Sequence, residues 1–364
     1  MKLNLGGVLI LLLGAVLSDI VAAEPYIAVR TGLTCMECHT NVTGGGIRTP
    51  YANRIAQRRI PRRFIKTPDK VKNWTGEISK WLSVGGDLRA DYQYVDIPSE
   101  DSISESEVEE GLVYIALNLI PDRLIFYVDE QVAPERAANR EIFGLFKAFD
   151  SKFYAKVGQF FLPYGWRLED DTAFIRQVPG INFSTPDKGF EVGLETGPWS
   201  AQLAVTNGAA GGPDDHSGNQ YSLMGSYVRD QWRVGASFNF NDAEIGDRQM
   251  QNIFFGLRTG PVTWLAQADY IRDESLSAGE RGQWLGLVEG NWLFAKGNNL
   301  KITYEYFDPD DDVDEDEQTR WSGVWSFFPF QFTETRIGIR LYDGIPQNNR
   351  QNRDNFFAEL HIYF

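Results

Sequence analysis

Asp-Asn-Phe-Phe-Ala-Glu-Leu-His-Ile-Tyr-Phe, residues 354–364, is where the sequence stops, and it stops inside an alternating run. Phe356, Ala358, Leu360, Ile362 and Phe364 fall on one face, and Phe357, Glu359, His361 and Tyr363 on the other. Successive side chains of an extended chain point to opposite sides, so this spacing predicts a two-faced strand with one apolar side. The same period recurs upstream. Leu82, Val84, Leu88, Ala90, Tyr92 and Tyr94 oppose Ser83, Asp87, Arg89, Asp91 and Gln93; Trp232, Val234, Ala236, Phe238 and Phe240 oppose Arg233, Ser237 and Asn239; Leu300, Ile302, Tyr304 and Tyr306 oppose Lys301, Thr303 and Glu305. A soluble sandwich alternates in the same way, so the period alone leaves both architectures open.

Connection lengths narrow the choice. Tight turns are expected at Pro121-Asp122, Asp150-Ser151, Gly197-Pro198, Arg229-Asp230, Gly260-Pro261, Lys296 to Asn299 and Pro329-Phe330. They interleave with longer polar stretches near 96–107, 134–139, 163–187, 208–218, 241–248, 273–280, 309–316 and 343–352. This pattern gives 16 strands from Trp81 to Phe364, and an even count puts both ends on the short-turn side. An alternating strand closed by Phe resembles the ending of bacterial outer-membrane barrels. That resemblance implies an all-β fold, a 16-stranded antiparallel transmembrane β-barrel. Trp199, Trp264, Trp292, Trp321, Trp325, Phe327 and Phe328 fit interfacial girdles. A periplasmic all-β protein is the alternative. Helical membrane proteins are excluded, because no long apolar run follows residue 23.

Residues 1–23 read as a signal peptide, with Lys2, an apolar run from Val8 to Leu17, and Val21-Ala22-Ala23 before cleavage at Glu24. The exported chain then divides by charge. Residues 24–80 carry a net +7, leaving −22 for residues 81–364 of a chain whose total is −15. A small basic unit joined to a large acidic one suggests two modules that attract each other. Residues 24–80 show no sustained period and contain Gly44-Gly45-Gly46, Pro50, Pro61 and Pro68, which reads as an irregular unit with one short helix near Tyr51–Arg59. No catalytic residue is expected.

Cys35-Met36-Glu37-Cys38-His39 is a C-x-x-C-H sequence. In this motif two thiols form thioethers to a haem and the adjacent His binds the iron, so Cys35, Cys38 and His39 are the candidate haem c residues. The motif uses both cysteines of the chain, and zinc would need further ligands that the unit lacks. A redox disulfide is the competing reading. Residues 40–80 hold no Met or His, so a side chain of the usual kind for the sixth iron position must come from the barrel. His361 and Met224 face inward by strand parity, and His216 and Met250 sit in or beside a long external loop. Water, Asn41 or a five-coordinate iron also remain open.

Residues 38–48, Cys-His-Thr-Asn-Val-Thr-Gly-Gly-Gly-Ile-Arg, resemble the haem segment of the fused monohaem cytochrome and porin proteins of bacterial outer membranes, which include iron-oxidising cytochromes. The best-known iron-oxidising members carry a Phe-Pro-rich stretch after the haem His, where this chain has glycines. Lys156–Gly165 and Ala173–Arg176 look like the corresponding stretches of phosphate-selective porins, which supports a 16-stranded wall. Phosphate selectivity is not carried over, since the barrel is acidic and no ladder of inward Lys/Arg is found beyond Arg89, Arg233, Arg336 and Arg340.

The resemblance implies a Gram-negative outer-membrane location, with the N-terminal segment in the lumen or on the periplasmic side. It also implies electron transfer through one covalent haem c. The implied partners are outer-membrane lipid, periplasmic c-type cytochromes and an extracellular redox partner or metal ion such as Fe(II), oxidised or reduced there. An oligomer is compatible with the fold, and no nucleic-acid partner is expected. Arg48, Arg54, Arg58 and Arg59 are candidates to pair the haem propionates, and the acidic run Asp308–Glu317 to capture a cation, its plainer reading being a solvated loop tip. The second reading is a solute porin with a periplasmic haem or C-x-x-C redox appendage.

Overall fold

The computed structural model describes residues 24–68, 73–134, 137–209, 218–243, 246–274 and 279–364. The signal peptide therefore lies outside the described residues. A three-residue strand, β1 (Glu77–Ser79), leads into sixteen long strands numbered in order from β2 (Leu82–Asp96) to β17 (Asp354–Tyr363). Every neighbour pairs antiparallel, and β17 pairs with β2 from Asp354↔Asp96 to Tyr363↔Asp87, which closes the sheet. Phe364 finishes the seam, its N–H and C=O exchanging hydrogen bonds of 3.0 and 3.1 Å with Gly86. Closure leaves no unpaired strand edge, the condition for a β-sheet to span lipid. The seven expected tight turns and eight longer connections fall at the strand junctions, except that the first long stretch, expected to reach residue 107, ends earlier because β3 begins at Ile103.

The alternation sorts lipid from lumen. Phe356, Leu360, Ile362 and Phe364 face outward and exposed, whereas Phe357, Glu359, His361 and Tyr363 are buried inside. Trp199, Trp264, Trp292, Trp321 and Trp325 also lie exposed on the outer face, as girdle residues should. Phe328 does not. It is buried, because residues 62 and 63 cross the short-turn rim there, the Arg62 N–H donating to the Phe328 carbonyl (2.8 Å) and that of Arg63 to Pro329 (3.2 Å).

The lumen is filled from two sides. Residues 24–65 form α1 (Pro25–Thr31), α2 (Cys35–Cys38) and α3 (Pro50–Arg58) inside the barrel. The α3 helix was expected one residue later, and α1 was read as irregular. Its punctuation is local, with Pro25 in the first turn and Gly32 ending it in the left-handed conformation. The second filler is the connection 161–186 between β6 (Phe153–Phe160) and β7 (Asp187–Thr196). Expected as an external loop, it folds inward, burying Phe161, Leu162, Trp166, Leu168 and Ile175, with one helical turn, α4 (Phe174–Gln177). Its acids are clamped by wall arginines: Glu169 by Arg89 and Arg336, and Asp170 by Arg320 (3.0 Å) and Arg340 (3.3 Å).

Candidate functional site

The Cys-x-x-Cys residues wind into α2, where a spacing of three puts both thiols on one face. Thr34 and Glu37 close a capping box at its start, the Thr34 N–H donating to the Glu37 carboxylate at 2.7 Å. Both cysteines are free and half-buried, and burial, with Cys35 beside it, pushes the Cys38 thiol up to about 12. His39 follows directly and bridges antiparallel to Arg48, so residues 39–48 fold back as a closed loop.

Three consecutive glycines make that loop. Gly44, Gly45 and Gly46 all have positive φ, of 91°, 81° and 61°, a region only glycine enters at little cost. At Gly46 a Cβ would run into the Tyr127 hydroxyl. The loop is pinned to the wall next to this close approach. Ile47 donates its N–H to Tyr127 Oη (3.2 Å), Asn41 Nδ2 donates to the Glu141 carboxylate (3.0 Å), and Lys156 Nζ donates to Thr43 Oγ1 (3.2 Å). The expected attraction between a basic segment and an acidic wall takes a different form. An ion pair between them runs the other way, Glu24 of the segment to Lys301 of the wall at 3.3 Å, while Arg30 donates to the carbonyls of Gly260 and Pro261.

Cys35, Cys38 and His39 line one cavity inside the barrel, of about 110 Å³. Its walls come from Glu24 and α1, the glycine loop, the inward-folded connection at Leu162–Gly165, Arg167 and Arg176, and the barrel at Glu195, Gln202, Met224 and Arg233. His39 is buried with its Nδ1 unpartnered. Burial, helped by Arg48 and Arg167, lowers its pKa to about 3, so the imidazole is neutral, the form that binds a metal.

Arg48, Arg167 and Arg176 face the same space. Arg48 lies over the Tyr363 ring (4.6 Å), Arg167 donates to the Gly44 carbonyl (2.8 Å), and Arg176 lies over Phe183 (5.2 Å). None of the three forms an ion pair among the described residues. Arg176 is 2% exposed, and burial together with Arg167 pulls it down to about 9, with Asp171 acting the other way. Buried guanidinium groups without acids are costly unless an anion joins them.

Two thiols on one helical face, a neutral imidazole with a free nitrogen, open space and three unpaired arginines form a donor set that fits a covalently attached haem and its two carboxylates. A pair of cysteines with one histidine falls short of the four ligands of structural zinc.

The other expected residues are scattered. Arg54, Arg58 and Arg59 are exposed on α3 and just after it, away from this cavity. His361 has both ring nitrogens engaged, Nε2 with Asp87 and Nδ1 with Glu334, each at 3.0 Å, and lines a separate polar cavity. Asn41 is committed to Glu141 and Thr43. Met250 is buried outside the cavity, and His216 lies outside the described residues. Met224 lines the cavity. In the acidic run, Asp310, Asp311 and Asp312 approach one another at the loop tip, with Asp310 held by Arg281 at 3.2 Å. Arg167 and Arg176 were missed, although a connection as apolar as Phe160-Phe161-Leu162-Pro163-Tyr164-Gly165-Trp166 is a poor solvent loop and signals an inward path.

No protein-family model matches this chain, and no curated protein is similar to it. Solved structures are similar in fold. The anion-selective porin of Comamonas acidovorans superposes with a TM-score of 0.63 at 8% identity, over 78% of this chain and 99% of that one. The outer-membrane protein OmpT of Vibrio cholerae, described in a trimer form, gives 0.61 at 12% identity over the same shares, and OprB of Pseudomonas putida gives 0.61 at 8%, over 78% and 94%. The fold is therefore that of a porin-like 16-stranded barrel of the Gram-negative outer membrane.

Proposed function

We propose that this protein carries electrons across the outer membrane through one haem c held inside the barrel lumen, between an external donor or acceptor and periplasmic c-type cytochromes. The observation that carries the reading is that Cys35, Cys38 and His39 line a lumen cavity together with Arg48, Arg167 and Arg176, none of which forms an ion pair among the described residues. When bound, the haem supplies a one-electron couple at its iron. Cys35 and Cys38 anchor it, and the neutral His39 offers a nitrogen to the metal. Arg48, Arg167 and Arg176 bind the two carboxylates and favour the more negatively charged, reduced state of the site. Leu162, Pro163 and Tyr164, brought inward by the 161–186 connection, line the cavity and exclude water. The apolar wall of the barrel, about 25 Å tall in this class, insulates the redox centre from lipid, and a centre inside it divides that span.

Fe(II) or another external metal ion is the donor or acceptor class that suits the oxygen ligands of Asp310, Asp311 and Asp312. Replacing these three by Asn should slow metal-dependent haem reduction, and an unchanged rate would remove them from the pathway.

A second reading, a solute porin with a redox appendage, draws on the likeness to porins. Ionic conductance separates the two, since a filled lumen passes little current and an open one much.

The direct test is an absorption spectrum of the purified protein, made with a cytochrome c maturation system, before and after reduction with dithionite. Sharp reduced bands that vanish in a Cys35→Ala, Cys38→Ala variant are expected. A colourless wild-type protein would overturn the proposal.

A further inference from the structure

An iron bound by His39 on one face has a second axial position on the other. Loop residues after the motif do not reach for it, because Asn41 is spent on Glu141 and Thr43. Barrel-wall residues of this cavity come from β7, β8 (Trp199–Thr206), β9 (Gln220–Arg229) and β10 (Trp232–Asn241), and Met224 faces inward at the middle of β9, paired with Gln202 on one side and Ser237 on the other.

The polar side chains around Met224 are already committed. Gln202 donates to Glu195 (3.4 Å), Ser237 accepts from the Gly165 N–H (2.9 Å), Ser222 donates to the Pro163 carbonyl (2.7 Å), and Arg233 donates to Ser226 (3.1 Å). The Met224 thioether is half-buried among them, and beyond the motif itself it is the one soft sulfur or imidazole donor that lines this cavity among the described residues. His361 is excluded by its two carboxylates and its different cavity, and Met250 by its position.

We infer that Met224 is the second axial ligand of the haem iron, so that one ligand comes from the N-terminal segment and the other from the barrel wall. The inference rests on the haem reading above. It makes the iron a cross-link between segment and barrel, which fixes the depth of the redox centre in the membrane. Met224 lies five residues from the short turn at Arg229-Asp230, roughly 16 Å along the strand, well inside the apolar band. A His/Met pair also places the couple at a higher potential than a nitrogen-only pair would.

The test uses the full-length haem-loaded protein in detergent, comparing wild type with Met224→Ala and Met224→His. Covalent haem is counted by the pyridine haemochrome, and the ligand is read from the oxidised spectrum, the midpoint potential and binding of added imidazole. Wild type should show the sulfur-to-iron charge-transfer band. Met224→Ala should keep its covalent haem, lose that band and bind imidazole more tightly, and Met224→His should give a low-spin spectrum without the band at a lowered potential. Should Met224→Ala fail to fold, Met224→His carries the comparison. Covalent haem whose spectrum and potential are the same in all three proteins would overturn the Met224 assignment alone. Wild type without covalent haem would overturn the haem reading and this inference together.

Discussion

The barrel wall and its filling are made of the same chain but answer to different physics. Each wall strand has lipid on one side and the lumen on the other, so every second residue is held to one solvent, and the pattern is repeated sixteen times. The filling, residues 24–65 and 161–186, packs mostly against protein rather than lipid. Its structure rests on particular contacts: a glycine loop against Tyr127, acids clamped by Arg89, Arg320, Arg336 and Arg340, and a helix capped by Thr49, whose side chain accepts from the Ala52 N–H. A period tolerates many substitutions, whereas a contact depends on two partners. The wall should therefore respond to the polarity of a substitution and the filling to its shape and charge.

The largest effect should come from Arg320→Ala. Arg320 is buried between Asp170 of the inward connection and Glu305 of the wall, and it also donates to Thr172 Oγ1 at 2.8 Å. Removing it leaves buried Glu305 without its cation and Asp170 with Arg340 alone, at a cost of about 3–5 kcal/mol. Lower thermal stability and raised ionic conductance are expected as residues 161–186 loosen; unchanged conductance would show that this clamp does not hold the connection in the lumen.

Next comes a probe of the wall. Val157, at 61% exposure on β6, faces lipid, and Val157→Lys should cost about 2–4 kcal/mol if it sits near the membrane midplane, while Val157→Leu should change nothing. Equal tolerance of both in a folding titration would mean that this face does not meet lipid.

Gly46→Ala should cost about 1–3 kcal/mol for the left-handed backbone alone, with the Tyr127 contact added. Faster proteolysis of residues 24–65 around an intact barrel is the expected readout, and equal protection would contradict the seated loop. The smallest effect should be that of Thr43→Ala, which deletes a bond from Lys156 and one to Asn41, worth about 1 kcal/mol, again read as protection of the segment.

The same contrast explains what the sequence revealed. Strand number, turn positions, inward and outward faces and the closing strand at Asp354–Tyr363 were legible, because lipid on one side writes a period of two. Trp81 was read as the first barrel residue and Leu82 begins β2. The Cys35, Cys38, His39 motif was legible because its spacing is local. The path of residues 161–186 was not, since nothing periodic marks an inward loop, and the arginines were chosen by nearness in sequence. Arg48 lines the cavity, but Arg54, Arg58 and Arg59 point to solvent, and Arg167 and Arg176 arrive from more than a hundred residues away. His361 matched on parity yet sits in a cage of Asp87 and Glu334, one acid from the neighbouring strand beside it and the other brought in across the β2–β17 seam.

The central claim is that the lumen holds a redox centre connecting the two faces of the membrane. It is tested most directly by placing the purified protein in sealed vesicles with an electron acceptor trapped inside and adding a reductant that cannot cross lipid. The account predicts reduction of the trapped acceptor by wild type and none by the Cys35→Ala, Cys38→Ala variant in vesicles that remain equally tight to ions. Equal reduction by both proteins, or none by a haem-loaded wild type, would contradict it.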